Sequence, residues 1–145
     1  MRVLWRKQHK VKGRKFASLH KITHSLKMSN FFYILALTLL ITHELDAIYR
    51  HEWRIFPLLN KLDEQLSAKI FILAHIPLFF IIFWLSFYAS QTVSEMTRIT
   101  IAGFCIIHVG LHILLRKHPK NEFNNPISQF LIWSCAMSGA LYLIL

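Results

Sequence analysis

Four histidines lie within stretches of this sequence that otherwise consist almost entirely of apolar residues. His43 closes the first stretch, and His75 lies in the second. His108 and His112 lie in the third stretch, four residues apart, so both imidazoles project from one face of a helix and could bind one metal ion. Ionisable groups are costly in apolar surroundings and usually mark a site.

Two carboxylates accompany the first histidine in the sequence THELDA at 42–47. His43 and Asp46 share a helix face, whereas Glu44 points roughly 100° away. We predict a metal site and give Asp46 the role of a ligand or of a partner that orients a histidine. The predicted ligands are His43, His75, His108, His112 and Asp46. Glu44 is the predicted catalytic general base, because a carboxylate beside a metal-activated water can accept its proton.

The residue types favour a divalent metal, with Zn²⁺ preferred to Fe or Mn. A haem is an alternative, in which His75 pairs with His108 or His112 as axial ligands. The same side chains could instead form a proton relay or a structural polar cluster. Asp46 could also pair only with Arg50, one helical turn later.

Four apolar segments must position these residues. Of the 145 residues, 54% are hydrophobic and only 17% are charged, compared with roughly 25% charged in soluble domains. The segments cover about 30–47, 69–90, 97–115 and 127–145, and about 20 apolar residues suffice to span a bilayer as a helix. Because a backbone in hydrocarbon must satisfy its own hydrogen bonds, we predict an all-α, integral membrane four-helix bundle.

The alternating direction of four consecutive spans gives the histidines a common depth. His43 lies near the end of the first span, and His75 lies near the beginning of the second. His108 and His112 lie near the end of the third. All four are therefore expected in one half of the bilayer, and the opposite half is expected to be almost purely apolar.

The N-terminal segment differs in character from the rest. Residues 1–27 contain nine Lys or Arg and no acidic residue, which accounts for most of the net charge of +10. We predict a basic cytoplasmic or juxtamembrane tail, attached to a transmembrane domain of residues 28–145 and attracted to anionic lipid head groups. Nucleic acid is not favoured, because the tail has no binding fold. With the tail counted, both termini lie in the cytoplasm, whereas a start at Met28 reverses the orientation.

The sequence THELDAIYRHEWR at 42–54 resembles a group of small bacterial four-helix membrane proteins of unknown function that carry a His-Glu-Leu-Asp-Ala motif. The resemblance covers about residues 28–145. It implies a multi-pass protein of the bacterial inner membrane and supplies no activity. A looser likeness to the HXXEE membrane family meets a departure, since Asp46 and Ala47 stand where that motif has two glutamates.

These observations predict a metal-dependent membrane hydrolase that acts on a lipid or another membrane-soluble substrate. One alternative is a small oligomeric proton or cation transporter or channel, which a stable homo-oligomer would favour. The other is a membrane haem protein. Whether the chain is an enzyme stays open at the level of sequence, because no further reaction motif is present.

Overall fold

The computed structural model describes residues 27–145, so the predicted basic tail lies outside the described residues except for Lys27. The four helices are α1 (Lys27–Tyr49), α2 (Glu64–Phe87), α3 (Gln91–Leu114) and α4 (Pro126–Ile144). Residues 27–145 contain no strand, which confirms the all-α fold class. All four helices are long and apolar enough to cross a membrane.

Two helices, α2 and α3, begin at least five residues earlier than the apolar pattern indicates. α2 begins at Glu64 because the Asp63 carboxylate caps it, accepting a hydrogen bond from the Gln65 backbone N–H at 3.1 Å. α3 begins at Gln91, directly after Ser90 at its N-cap. Polar first turns lower the local hydropathy, so the sequence pattern places both starts too late.

The connections at the two ends of the bundle differ in length. α2 and α3 are joined by residues 88–90 alone, whereas residues 50–63 and 115–125 form long connections at the other end. These long connections contain three single-turn 3₁₀ helices, Glu52–Arg54, Leu59–Lys61 and Leu115–Lys117. α4 begins with Pro126 after the capping residue Asn125.

Close packing of small residues holds α3 against α4. A Cβ placed on Gly139 would lie 2.7 Å from the Ala102 carbonyl oxygen and 3.3 Å from the Cys105 Cβ. Such approaches are typical of helices in lipid, where van der Waals packing replaces the hydrophobic effect between helices. This contact fixes the position of the helix that carries His108 and His112.

A polar cluster lies at the end of the bundle with the short connection, and we call this the arginine end (Asn30, Tyr33, Ser86, Phe87 and Arg98). Arg98 Nε and Nη2 donate to the Ser86 carbonyl oxygen at 3.1 and 2.9 Å, and Nη1 donates to Asn30 Oδ1 at 2.9 Å. The guanidinium also lies over the rings of Tyr33 and Phe87. The expectation that this half is almost purely apolar is therefore wrong, because the Arg98 side chain extends from α3 to acceptors on α1 and α2.

Candidate metal centre

Three of the four predicted histidines meet between α1 and α3, at what we call the histidine end (His43, His108, His112 and the two long connections). The Nε2 atom of His43 lies 2.9 Å from Nε2 of His108 and 3.1 Å from Nε2 of His112. The Nε2 atoms of His108 and His112 are 3.1 Å apart. The i, i+4 spacing on α3 therefore places two imidazoles side by side, and the end of α1 supplies the third.

Aromatic packing holds the three rings. His43 is only 1% exposed, and the ring of the equally buried Phe123 lies against both His43 and His112, with centroids 5.6 and 4.8 Å away. Phe104 packs on His108 with centroids 5.2 Å apart. Phe123 comes from the 115–125 connection, where no periodic pattern distinguishes it, so sequence reasoning missed it.

The convergence of the three nitrogens is not explained by hydrogen bonding. In a neutral imidazole each ring nitrogen has one site, either an N–H or a lone pair. A triangle of three such nitrogens can form one hydrogen bond and leaves the third atom without a partner. In addition, His43 Nδ1 and His108 Nδ1 are buried and have no hydrogen-bond partner. Each unsatisfied buried group costs roughly 1–3 kcal/mol.

A single metal ion would use all three Nε2 lone pairs at once. Nitrogen ligands at roughly 2.0–2.1 Å from a tetrahedral Zn²⁺ lie about 3.3 Å from one another, close to the observed 2.9–3.1 Å. The described part of the chain thus contains a group, His43, His108 and His112, that could hold a metal ion. The unpartnered Nδ1 atoms of His43 and His108 depart from usual metal sites, where the second ring N–H of a ligand is hydrogen-bonded.

The fourth histidine lies in a different pair. His75 Nδ1 is 2.6 Å from the Phe71 carbonyl oxygen, and its Nε2 is 3.1 Å from Glu44 Oε2. Since a carbonyl oxygen only accepts, Nδ1 carries its hydrogen, and one proton is then shared between Nε2 and the Glu44 carboxyl group. The structure therefore places His75 beside the predicted base, and its role as a metal ligand stays a prediction.

Asp46 also has partners outside the three histidines. Its carboxylate accepts hydrogen bonds from Arg50 Nε at 3.3 Å and from the hydroxyl of Ser128 at the start of α4. The pairing with Arg50 is the structural alternative that the sequence offers. The contact with Ser128 ties α1 to α4, and a role of Asp46 as metal ligand or orienting group stays a prediction.

A cavity of about 410 Å³ lies beside the histidine cluster, and both this cluster and the pair of Glu44 and His75 contribute to its wall. Its polar wall is formed by Glu44, Glu52, His75, His108, His112 and Asn121, and the remaining wall is apolar and comes mostly from α2 and α3. The predicted base and two of the three converging histidines thus face one space. Such an apolar pocket with a few convergent polar groups is typical of a ligand site.

Glu52 is the unexpected member of this wall. Glu52 lies in the connection after α1, beyond the predicted span 30–47, yet its side chain lines the cavity. Burial, together with the nearby carboxylates of Glu44 and Asp46, raises the pKa of Glu52 from 4.5 to about 8. Glu52 is therefore mostly protonated at neutral pH and can donate a hydrogen bond.

Residues 29–145 match a family of unknown function, DUF6713, and the chain belongs to that family. The match includes all the histidines and carboxylates of the site. It agrees with the expected membership of a group of unknown function, and the likeness to the HXXEE family is not confirmed. No curated protein and no solved structure matches the chain.

Proposed function

We propose that this member of the DUF6713 family is a membrane-embedded metal-dependent hydrolase with its metal ion on His43, His108 and His112. The observation that carries the proposal is the convergence of three Nε2 atoms within 3.1 Å of one another in a buried cluster. Three neutral nitrogen ligands with an open fourth position suit Zn²⁺ better than Fe or Mn.

The residues around the cluster suit hydrolysis. Zn²⁺ held by three histidines supplies a Lewis acid and can activate a water molecule. Glu44 follows the ligand His43 in the sequence and shares the cavity wall with His108, which favours its role as the general base. His75, held by the Phe71 carbonyl oxygen, positions the Glu44 carboxyl group.

A proton or cation relay is the second candidate. The hydrogen bond between Glu44 and His75, on a cavity wall at membrane depth, is the observation that favours it. A haem is less well supported, because axial ligands approach iron from opposite faces of a porphyrin. The three Nε2 atoms here converge on one point.

Elemental analysis and a visible spectrum of detergent-purified protein test the metal site directly. We expect about one Zn, Fe or Mn per chain, no Soret band, and loss of the metal in a His108→Ala/His112→Ala double variant. His118→Ala is the matched control, since His118 lies at the same end and bonds only locally, to the Lys120 N–H.

Two results would contradict the metal centre. A Soret band would move the assignment to haem. Protein never exposed to chelator that contains neither metal nor a Soret band would remove the basis of the hydrolase and leave the relay, which pH-dependent flux in liposomes then tests.

A further inference from the structure

The apolar walls of the cavity face the hydrocarbon. α2 and α3 form its two long sides. Ile70 and Leu78 on α2 are 40% and 48% exposed, and Phe104 and Leu111 on α3 are 39% and 43% exposed. All four side chains belong to helices apolar enough to span a membrane. At that depth their free surfaces meet lipid chains, so a membrane-dissolved molecule can reach the cavity between α2 and α3 without crossing water.

The polar wall provides no free charge. Among the residues that line the cavity there is no Lys or Arg, so an anionic head group has no cationic partner there. The Glu44 carboxyl group is already engaged by His75. Glu52 is largely protonated at neutral pH, because burial raises its pKa to about 8. A cationic head group therefore finds no unpaired carboxylate, whereas hydrogen-bond donors and acceptors are plentiful.

The size of the cavity further restricts the kind of molecule that it can bind. Its volume of about 410 Å³ lies near the lower end of the roughly 300–1,000 Å³ found for small-molecule sites. That space suits one chain with a small head group, and a two-chain phospholipid is too large to be enclosed.

We propose that the cavity binds a single-chain amphiphile with an uncharged, hydrogen-bonding head group such as an ester, amide or alcohol. The apolar chain lies between α2 and α3, and the head group lies beside Glu44, Glu52 and His108. This inference rests on the proposed function in so far as the bound molecule is the hydrolase substrate, but binding itself does not require the metal.

Photo-crosslinking with three matched probes tests the proposal. The probes share one diazirine-bearing twelve-carbon chain (a length roughly matched to one leaflet) and differ only in an alcohol, ammonium or phosphate head. The full chain is reconstituted in phosphatidylcholine nanodiscs, both as purified and after chelation, and labelled peptides are identified by mass spectrometry. We expect the alcohol to label the cavity-facing residues of α2 and α3 at least about tenfold more than the phosphate does, because the cavity lining offers no cationic partner for a phosphate.

Two substitutions on adjacent positions of α2 provide the controls. Ala74 lines the cavity, so Ala74→Trp fills the space and should reduce alcohol labelling about tenfold. Leu73 is 60% exposed and does not line the cavity, so Leu73→Trp should leave labelling unchanged. Size-exclusion profiles and circular dichroism verify that both variants are folded.

The outcomes separate the two proposals. Labelling of the cavity by the alcohol in protein that contains no metal as purified, before any chelation, would leave the inference intact and count against the hydrolase alone. Equal or stronger labelling by the phosphate or ammonium probe would overturn the inference. It would also be overturned if folded Ala74→Trp protein were labelled like wild type, whatever the metal content.

Discussion

The arginine end and the histidine end both place polar side chains inside an apolar bundle, but they differ in hydrogen bonding. At the arginine end, three nitrogens of Arg98 reach acceptors on Ser86 and Asn30. At the histidine end, three Nε2 atoms face one another. Within residues 27–145, the two buried side-chain polar atoms without a partner both belong to this cluster.

This difference in hydrogen bonding indicates a structural role for the arginine end and a chemical role for the histidine end. A polar cluster whose hydrogen bonds are complete stabilises the packing of its helices and has nothing left to offer a ligand. A cluster that brings like atoms together without completing their bonds costs free energy until something binds. The comparison predicts that substitutions at the arginine end change stability, whereas those at the histidine end change binding and activity.

The largest expected effect is on hydrolysis. Glu44→Gln should lower the rate roughly 10²–10⁴-fold, the usual contribution of a general base, while about one metal per chain is retained. The assay measures turnover of a panel of long-chain esters and amides by reconstituted protein, with metal content determined on the same samples.

Arg98→Met is the matched control from the arginine end and should retain activity where the protein is folded. Full activity in Glu44→Gln protein would contradict the role of Glu44 as base. Loss of the metal together with activity would instead assign Glu44 to metal binding.

The second effect is stabilisation by metal. Because an ion binds the folded histidine cluster and not the separated histidines, adding Zn²⁺ at about 100 times its Kd should stabilise wild-type protein by roughly 2.7 kcal/mol. His112→Ala should lose most of this gain, since one of three ligands is removed. Thermal unfolding in detergent with and without Zn²⁺ measures both, and an undiminished gain in His112→Ala protein would rule out this cluster as the site.

The third largest expected effect is a loss of stability on substitution at the arginine end. Arg98→Met removes charge-assisted hydrogen bonds between α1, α2 and α3 and should destabilise the bundle by about 2–3 kcal/mol. The increase in melting temperature on adding Zn²⁺ should be unchanged. Lys117→Met, an exposed substitution beyond α3, is the control and should shift the melting temperature little. A smaller Zn²⁺ response in Arg98→Met protein would show that the two ends are coupled.

The sequence predicts the four helices and most of the histidine cluster, and the parts that it does not predict have identifiable physical reasons. Apolar segment length predicts the four helices, and the i, i+4 spacing predicts the side-by-side placement of His108 and His112. The predicted common depth in the bilayer places His43 at the same level as His108 and His112. Depth does not set the rotation of a helix about its axis, however, so His75 at the same end faces Glu44.

Contacts from the connections are harder to predict. Phe123 packs on two imidazoles, and Glu52 reaches the cavity wall, although both lie outside the periodic segments. The positions of such residues depend on tertiary packing and not on hydropathy or helical period. The arginine end was missed for a related reason, because Arg98 lies within the predicted third span but its contacts with Ser86 and Asn30 depend on tertiary packing.

The smallest expected effect is a pH dependence confined to the histidine end. The pKa of Glu52 is raised from its usual 4.5 to about 8, chiefly by burial. The folded protein therefore holds a proton on Glu52 that the unfolded chain releases above pH 4.5, and the contribution of Glu52 to stability falls as pH rises toward 8. Solvent at the cavity mouth screens this effect, so we expect about 1 kcal/mol between pH 5 and pH 8.

Glu52→Gln should remove the Glu52 contribution, which is measured as the difference in pH slope between the variant and wild type, because the amide keeps the shape and hydrogen bonding of the protonated acid without the charge. Melting temperatures of metal-free protein at pH 5, 6.5 and 8 would show the variant equal to wild type at pH 5 and more stable at pH 8. Arg98→Met should keep the wild-type slope, since Arg98 lies at the opposite end of the bundle from Glu52. An unchanged slope in Glu52→Gln protein would mean that Glu52 is solvated and that the cavity wall has one carboxylate fewer than the structure shows.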